Sequence, residues 1–449
     1  MSIKLNMIFV IMTVAGIVGC GYNSSTRDGM SNHDASAAET DIAVMKDIAI
    51  SSLANGIQPV VNAGGGCIAE LTIDPALQRI VSEVLARYAD TNDTGVGWAV
   101  LLSANDGAVL ALGDCGGVAE DPHPFALTRL YTPGHLLSTM TVAAALDAGI
   151  VTPDSELFTN ASEAFFYQYK LPSDGGHIWE STLSVSNGLI FSSNVVLSKL
   201  GILVGRDRES AVLNGFGIGI RSGIGFSDEA LGRLLPPERW CKVDRARIPI
   251  GQGIEITAIQ IARAYATLAN HGRRVDPYIV KRVEDASGNT LYEHVAPTSG
   301  VRAVCQNAAD TTCSILEAAV KADDLKGFDG IKEDDPVDIT KCLVPRRATG
   351  RRAAVEGVRI AGKTGTALRR KAGSYEYETQ RYIASFAGIF PAEDPGYVLV
   401  VCYETTSDDG VPYMHQGGGR PAIAFSEIVK SIVRRQNGTT PTCCVRESH

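Results

Sequence analysis

The chain has 449 residues, of which 45% are hydrophobic and 20% are charged. This composition is that of a globular protein and excludes a wholly disordered chain. The 41 basic and 50 acidic side chains give a net charge of −9, and without a basic block this argues against a nucleic-acid-binding protein. Only the N-terminus has an apolar run suited to a membrane, which excludes several membrane spans.

The first 20 residues have the pattern of an export signal. Lys4 precedes an apolar stretch from Leu5 to Gly19, which is shorter than the roughly 20 residues of a spanning helix. Ile17-Val18-Gly19-Cys20 resembles a bacterial lipobox, whose cysteine is lipidated and becomes the mature N-terminus. We therefore expect residues 1–20 to be a lipoprotein-type signal, with Cys20 lipidated and the body tethered to a membrane outside the cytoplasm. The alternative is an uncleaved anchor.

Ten cysteines are present, and setting Cys20 aside leaves nine. An odd number leaves at least one thiol free or paired with another molecule. Cys305 and Cys313 flank a short polar segment that we predict to be a loop, and with Cys342 nearby we expect disulfides there. No C-x-x-C pair occurs, so no zinc site is expected, and Cys402 lies in an apolar run typical of a core thiol.

Residues 21–66 are rich in Ser, Ala, Asn and Asp, and we predict a flexible tether with one short helix near residues 41–53. Asp74-Pro75 then provides an N-cap with proline at the first helical position, and apolar residues follow at helical spacing. Two apolar runs on either side of Asn105-Asp106-Gly107 predict a β-hairpin.

The rest of the chain contains helical patterns followed by three strand patterns and a final helix. The predicted helices cover residues 134–148, 257–270 (opened by the capping box Thr257-x-x-Gln260) and 421–433. The predicted strands cover residues 358–367, 382–390 and 397–403. This order predicts one α+β domain over residues 67–436, with its sheet closed by the two ends of the chain, and a tail over 437–449.

Lys363-Thr364-Gly365 is the sharpest motif. It resembles the K-T-G element of penicillin-binding proteins and serine β-lactamases, which lies on an edge strand beside the active-site groove. The resemblance implies that Lys363 attracts the substrate carboxylate and that the hydroxyls of Thr364 and Thr366 hydrogen-bond to it. It also implies that Gly365 lets a peptide approach closely.

Further segments follow in the family's order. They are Ser192-Ser193-Asn194, Gly251-Gln252-Gly253-Ile254-Glu255-Ile256-Thr257, Thr349-Gly350-Arg351, Ser385-Phe386-Ala387-Gly388-Ile389-Phe390-Pro391 and the Gly-rich turn at Gly417-Gly418-Gly419. Alone, Ser192-Ser193-Asn194 is more typical of a polar turn or cap. In the family's S-x-N element, the serine (here Ser192) relays protons and the asparagine (here Asn194) holds the substrate backbone.

Together these motifs make the stretch from Leu71 to Val433 resemble the transpeptidase domain of class B penicillin-binding proteins. The resemblance implies a five-stranded antiparallel sheet flanked by helices, with a helical subdomain as the other wall of the groove. Residues 321–345 depart from the family pattern as an insertion. Because only a predicted tether precedes Leu71, we expect the N-terminal pedestal domain usual in class B members to be lacking.

The largest departure concerns the family's nucleophile, which follows a Pro-Gly turn as S-x-x-K. Here His135 occupies the serine position and Ser138 the lysine position, and no lysine of the chain has a serine three residues before it. In the family, the serine attacks the penultimate D-Ala carbonyl or the β-lactam ring, and the lysine takes its proton. Losing the nucleophile of a comparable mechanism costs on the order of 10⁶-fold in kcat.

Two interpretations of His135 and Ser138 remain open. We favour degenerate polar residues at the mouth of an old pocket, because no orienting carboxylate can be placed for the imidazole. Alternatively they form a new pair: residues three apart on a helix lie about 5–6 Å apart, so His135 could activate Ser138 or Ser192.

The function that we expect is a lipid-anchored, non-acylating relative in peptidoglycan metabolism. Its groove would bind a stem peptide, a β-lactam-like ligand or a wall-synthesis protein. One alternative is an active D,D-transpeptidase, carboxypeptidase or Ser/His hydrolase, and another is an interaction scaffold with a vestigial groove. No cofactor, metal or nucleic acid is expected.

Overall fold

The computed structural model of the chain describes most residues between Asn32 and Gly438. The described residues are 32–51, 53, 58–89, 95–117, 124–160, 166–174, 181–295, 300–321, 348–371, 376–406 and 416–438. The predicted signal with Cys20, the insertion beyond residue 321, and the tail beyond residue 438 lie outside them. In the described ranges, no helix combines the length and apolarity needed to cross a bilayer.

The described elements alternate between strands and helices along the chain. The strands are β1 (Val60–Gly64), β2 (Cys67–Leu71), β3 (Gly97–Ser103), β4 (Val109–Cys115), β5 (Glu156–Phe158), β6 (Thr182–Ser184), β7 (Val280–Glu284), β8 (Thr290–Glu293), β9 (Ala361–Arg370), β10 (Tyr377–Phe390) and β11 (Tyr397–Thr406). The α-helices are α1 (Asn32–Ser51), α2 (Pro75–Tyr88), α3 (Phe125–Thr128), α4 (Ser138–Asp147), α5 (Val185–Ile190), α6 (Asn194–Val204), α7 (Arg206–Gly215), α8 (Lys242–Arg247), α9 (Ala258–Ala269), α10 (Gln306–Ala318) and α11 (Arg420–Gln436). Short 3₁₀ turns span Gly134–Leu136, Tyr167–Tyr169, Pro237–Arg239, Ile248–Ile250 and Arg351–Ala353.

A five-stranded antiparallel sheet, in the order β4-β3-β11-β10-β9, organises the fold. Strand β3 pairs with β11, so the two ends of the chain close the sheet as predicted. Both faces are covered: Leu101 and Phe386 lie in one apolar cluster with α2 and α11, and Trp98 and Val100 lie in another with α4 and α9. The prediction of an α+β fold with this sheet is confirmed. Strand β9 is left at the edge, where it borders the candidate groove.

Part of the segment predicted to be a tether is folded. Helix α1 is longer than the short helix expected near residues 41–53, and β1 pairs with β2 in a second sheet of order β1-β2-β7-β8. Ala49, Ile50 and Ala63 are fully buried. The composition of residues 21–66 suggested a tether because alanine can be buried against a neighbour without giving a strong apolar pattern in the sequence.

Of the helix N-caps predicted at Asp74 and Thr257, the first is confirmed and the second is wrong. Asp74 caps α2 as expected, with Oδ1 accepting from Ala76 N at 2.8 Å and Leu77 N at 3.0 Å. The capping box at Thr257 is wrong: its side chain makes no cap bond, and Gln260 Nε2 donates instead to Leu231 O at 2.9 Å. The Gln260 side chain is buried and pairs with a neighbouring loop, so it is not available to cap the helix.

The prediction of a disulfide-bearing loop between Cys305 and Cys313 is also wrong. Residues Gln306–Ala318 form helix α10, and both thiols are free. Ala309 and Leu316 are buried on this helix, so the apolar residues within the polar segment define a helical face. Cys402 is a buried core thiol, as predicted. Cys342 lies outside the described residues.

Candidate functional site

The turn that carries His135 is fixed between two neighbouring segments. Gly134 has φ +56°, and a Cβ there would lie 2.9 Å from Thr366 O on β9. On its other side, Gly134 N donates to Gly251 O at 3.3 Å. The turn is a 3₁₀ segment, and α4 begins only at Ser138. The prediction of a single helix beginning at residue 134 is therefore corrected. Glycine is required here by close packing, which places His135 next to β9.

His135 and Ser138 do contact each other. His135 Nδ1 lies 3.0 Å from Ser138 Oγ, while Ser138 is fully buried and His135 is half-buried. Among the hydrogen bonds of the described residues, none joins His135 to Ser192. The predicted pair therefore exists as a contact, in which the Ser138 hydroxyl is fully buried.

The segment Ser192-Ser193-Asn194 provides a helix cap and also contacts Lys363 of β9. Ser193 caps α6, because its Oγ accepts from Val196 N at 3.2 Å and donates to Asp174 Oδ2 at 2.8 Å. Ser192 has φ +61°, a left-handed conformation that is unfavourable for serine and that directs its side chain differently from those of the helix. Asn194 Nδ2 donates to Ser173 O at 2.7 Å.

Lys363 reaches from β9 to this turn. Its Nζ donates to Ser192 Oγ at 2.5 Å and lies 3.2 Å from Thr364 Oγ1, and the residue is fully buried. These partners are neutral oxygens, and no described carboxylate forms an ion pair with this lysine. Burial lowers the pKa of Lys363 to about 7. At neutral pH the ammonium is therefore only partly protonated.

The same environment keeps His135 neutral. Burial first, and then the positive charge of Lys363, lower the pKa of His135 to about 3, although a hydrogen bond with Asn194 acts in the opposite direction. The site thus holds a neutral imidazole and one titrating ammonium. No orienting carboxylate is found for the imidazole among its hydrogen-bond partners in the described residues.

The remaining K-T-G residues have structural contacts that the resemblance did not imply. A Cβ on Gly365 would lie 2.3 Å from Pro133 O and 2.6 Å from Ser385 Oγ, so this glycine is needed for packing against the His135 turn. The expectation that it also lets a peptide approach closely stays a prediction. Thr366 Oγ1 accepts from Gly417 N at 2.9 Å, and Thr364 is 7% exposed.

Sequence reasoning missed Asp174 as a part of this site. Its carboxylate accepts from both Ser193 Oγ and Val195 N, and so fixes the start of α6. No motif marked it, because the contact spans 19 residues of intervening chain. Among the described residues, no group of three or more His, Cys, Asp or Glu side chains is placed to hold a metal ion.

Comparisons with known proteins identify the family of this domain. The family model of the penicillin-binding protein transpeptidase domain matches residues 97–430. Penicillin-binding protein PbpB of Mycolicibacterium smegmatis is 31% identical over 84% of this chain and 56% of the relative. Peptidoglycan D,D-transpeptidase FtsI of Escherichia coli is 28% identical over 82% of this chain and 56% of the relative.

Solved structures agree with the relatives. Penicillin-binding protein 3 of Mycobacterium tuberculosis, complexed with aztreonam, matches with a TM-score of 0.66 and 26% identity, covering 85% of this chain and 82% of that one. The chain spans about half the length of the curated relatives named above. It belongs to the penicillin-binding protein transpeptidase family, with a transpeptidase domain of the class B type.

Proposed function

We propose that this chain is a cell-wall protein that binds peptidoglycan stem peptides in the groove beside β9 without forming an acyl-enzyme at position 135. The observation that supports this most is the imidazole of His135 at the family's nucleophile position, hydrogen-bonded to the buried Ser138. Neither residue presents a hydroxyl to a ligand. A relative is named a peptidoglycan D,D-transpeptidase, and the proposal takes His135 and Ser138 to stand at the two positions that acylation requires in that family.

Retained binding is supported by the electrostatics of Lys363. A buried ammonium with only neutral partners is costly, and a ligand carboxylate within reach offsets that cost. Thr364 Oγ1 lies beside the same nitrogen. The groove therefore favours a ligand that ends in a carboxylate, as a stem peptide does. A β-lactam-like molecule with a carboxylate meets the same requirement, and so does the C-terminus of a wall-synthesis protein.

A second candidate is slow hydrolysis through Ser192, supported by its 2.5 Å contact with Lys363. Ser192 Oγ would attack the carbonyl carbon and form an ester as the C–N bond breaks. Neutral Lys363, with a pKa of about 7, would take the hydroxyl proton and return it to the leaving nitrogen. Water would then attack the ester carbon, which releases the acid and restores the Ser192 hydroxyl. A vestigial groove that serves only as a scaffold is the third reading.

The location that we propose is the outer face of a bacterial membrane, through a lipid on Cys20. The lipobox-like Ile17-Val18-Gly19-Cys20 supports this, as does the named role of a relative in peptidoglycan, a polymer outside the cytoplasm. Cys20 lies outside the described residues, so the proposal rests on sequence alone.

The chain should form no stable covalent adduct with penicillin at position 135 or 138. Intact-mass measurement after incubation with a labelled penicillin, followed by peptide mapping, tests this. An adduct mapped to Ser138 would contradict the proposal. An adduct on Ser192 would favour the second candidate function, hydrolysis through Ser192, over the proposal.

The matched control is the double variant with His135→Ser and Ser138→Lys, which restores the S-x-x-K spacing. This variant should acylate, because Ser192, Asn194 and Lys363 follow the family's order in the sequence and Lys363 contacts Ser192. A folded double variant that fails to acylate would show that the groove itself has changed.

Lys363→Ala should weaken binding of a D-Ala-D-Ala stem peptide. A hydrogen bond to a charged group contributes about 1.5–3 kcal/mol, which corresponds to about 10–150-fold in Kd. The control Lys371→Ala removes an exposed lysine paired with Glu376 and should change Kd by less than about twofold. Calorimetry with the peptide acid and its C-terminal amide measures both effects. Equal affinities for acid and amide would count against the proposal.

The same binding should weaken as pH rises. Only protonated Lys363 attracts a carboxylate, and its pKa of about 7 means that protonation falls above neutral pH. The Kd of the peptide acid should therefore rise above pH 7 by up to about tenfold per pH unit. The Lys363→Ala variant should show a flat profile over the same range.

Cys20→Ala should prevent lipidation and release the protein from membranes or block its processing. Membrane fractionation and intact-mass analysis measure the two effects. A variant that remains membrane-bound at an unchanged mass would show that the N-terminus is an uncleaved anchor.

A further inference from the structure

A second cavity, with a volume of about 480 Å³, lies outside the groove. It shares no lining residue with the His135, Ser192 and Lys363 site, and we call it the basic cleft. The side chains that matter for its chemistry are Lys46, Arg221, Arg263, Arg274, Asp276 and His294. Its volume is within the range of small-molecule sites, about 300–1,000 Å³. Helix α1, the loop after α7, α9 with the loop that follows it, β7 and the end of β8 all contribute to it.

The cleft is strongly positive on an acidic chain. Its four cations face one lining carboxylate, Asp276, which lies 2.9 Å from Arg274 Nε and 3.5 Å from Arg263 Nη1. Lys46 and Arg221 form no ion pair with any carboxylate in the described residues. Since the whole chain carries a net charge of −9, this local excess is opposite to the average surface.

Two further carboxylates lie close by without lining the cavity. Glu229 accepts from Ser222 N at 2.5 Å, and Asp106 accepts from Tyr278 Oη at 3.1 Å. Each is therefore held by a hydrogen bond from the wall. They moderate the positive potential but do not occupy the space between the cations.

The cations are held in place before any ligand arrives. Arg263 is 1% exposed and donates to the carbonyls of Arg221, at 2.9 Å, Ile220, at 2.8 Å, and Gly217. Lys46 Nζ lies 3.4 Å from the centroid of the Tyr292 ring, a cation–π contact. A site whose charges are already ordered loses less conformational freedom on binding.

His294 provides an independent indication of a missing partner. Its ring stacks on Tyr278 with the centroids 3.5 Å apart, which fixes its plane. Its Nδ1 lies 3.3 Å from Tyr292 Oη, whereas its Nε2 is buried and has no hydrogen-bond partner among the described residues. Buried polar atoms are seldom left unpaired, so a ligand atom bound here would supply the hydrogen-bond partner that Nε2 lacks.

We propose that the basic cleft binds a phosphate-bearing anion. Four cations against one lining carboxylate suit a ligand with more than one negative charge, and arginine guanidinium groups match phosphate oxygens in pairs. A single carboxylate would leave most of the charge uncompensated. The phosphate could belong to a soluble molecule or to a lipid headgroup, since the chain is proposed to sit on a membrane.

Calorimetry of the whole chain with pyrophosphate tests the site. Lys46→Gln and Arg221→Gln should each weaken pyrophosphate binding about tenfold or more, because each removes a charge-assisted contact. The control Arg79→Gln removes an exposed cation of α2 outside the cleft and should change Kd by less than twofold. Circular dichroism should show that all three variants remain folded.

Vesicles distinguish the two sources of phosphate. If phosphatidylglycerol vesicles compete with pyrophosphate and phosphatidylcholine vesicles do not, the proposal holds with a lipid headgroup as the ligand. If neither competes, it holds with a soluble phosphate. No measurable binding of pyrophosphate at millimolar concentration, or an equal loss in the Arg79→Gln control, would overturn it.

Discussion

The contact between Lys363 Nζ and Ser192 Oγ joins the edge of the five-stranded sheet to the turn that begins α6. It buries an ammonium completely against neutral oxygens, and this burial lowers the pKa of Lys363 to about 7. The charge also helps to keep the nearby His135 neutral. The protonation of both groups therefore depends first on burial and, for His135, also on the position of this lysine.

The proposed departure from S-x-x-K would change the charge of the site as well as its chemistry. A lysine at position 138 would add a second cation at a position that is fully buried here, 3.0 Å from the position-135 side chain. Ser138 and neutral His135 carry no charge, so Lys363 is the charged group among these three residues that a ligand would have to complement. On the proposed function, this charge pattern would favour recognition of a carboxylate over formation of a covalent bond.

The β3–β4 hairpin and the three C-terminal strands were predicted from strand patterns in the sequence, whereas their assembly into one five-stranded sheet was implied by the family resemblance and is confirmed. It also placed Ser192 and Lys363 in one groove by motif order. Long-range contacts could not be predicted from the sequence: Asp174 fixes Ser193 from another loop, and the close packing of Gly365 against Pro133 carries no sequence signal. The alanine-rich residues that fold before Leu71 were missed because small side chains bury without a clear apolar pattern.

The protonation of Lys363 tests this account most directly. Nuclear magnetic resonance of the chain labelled at lysine, with the signal assigned by a Lys363→Arg variant, would follow the ammonium as pH changes. The account predicts half-protonation near pH 7 in the free protein and a shift to higher pH when a stem peptide with a free carboxylate is added. A lysine that titrates near its ordinary value of about 10.4 and does not respond to the peptide would contradict it.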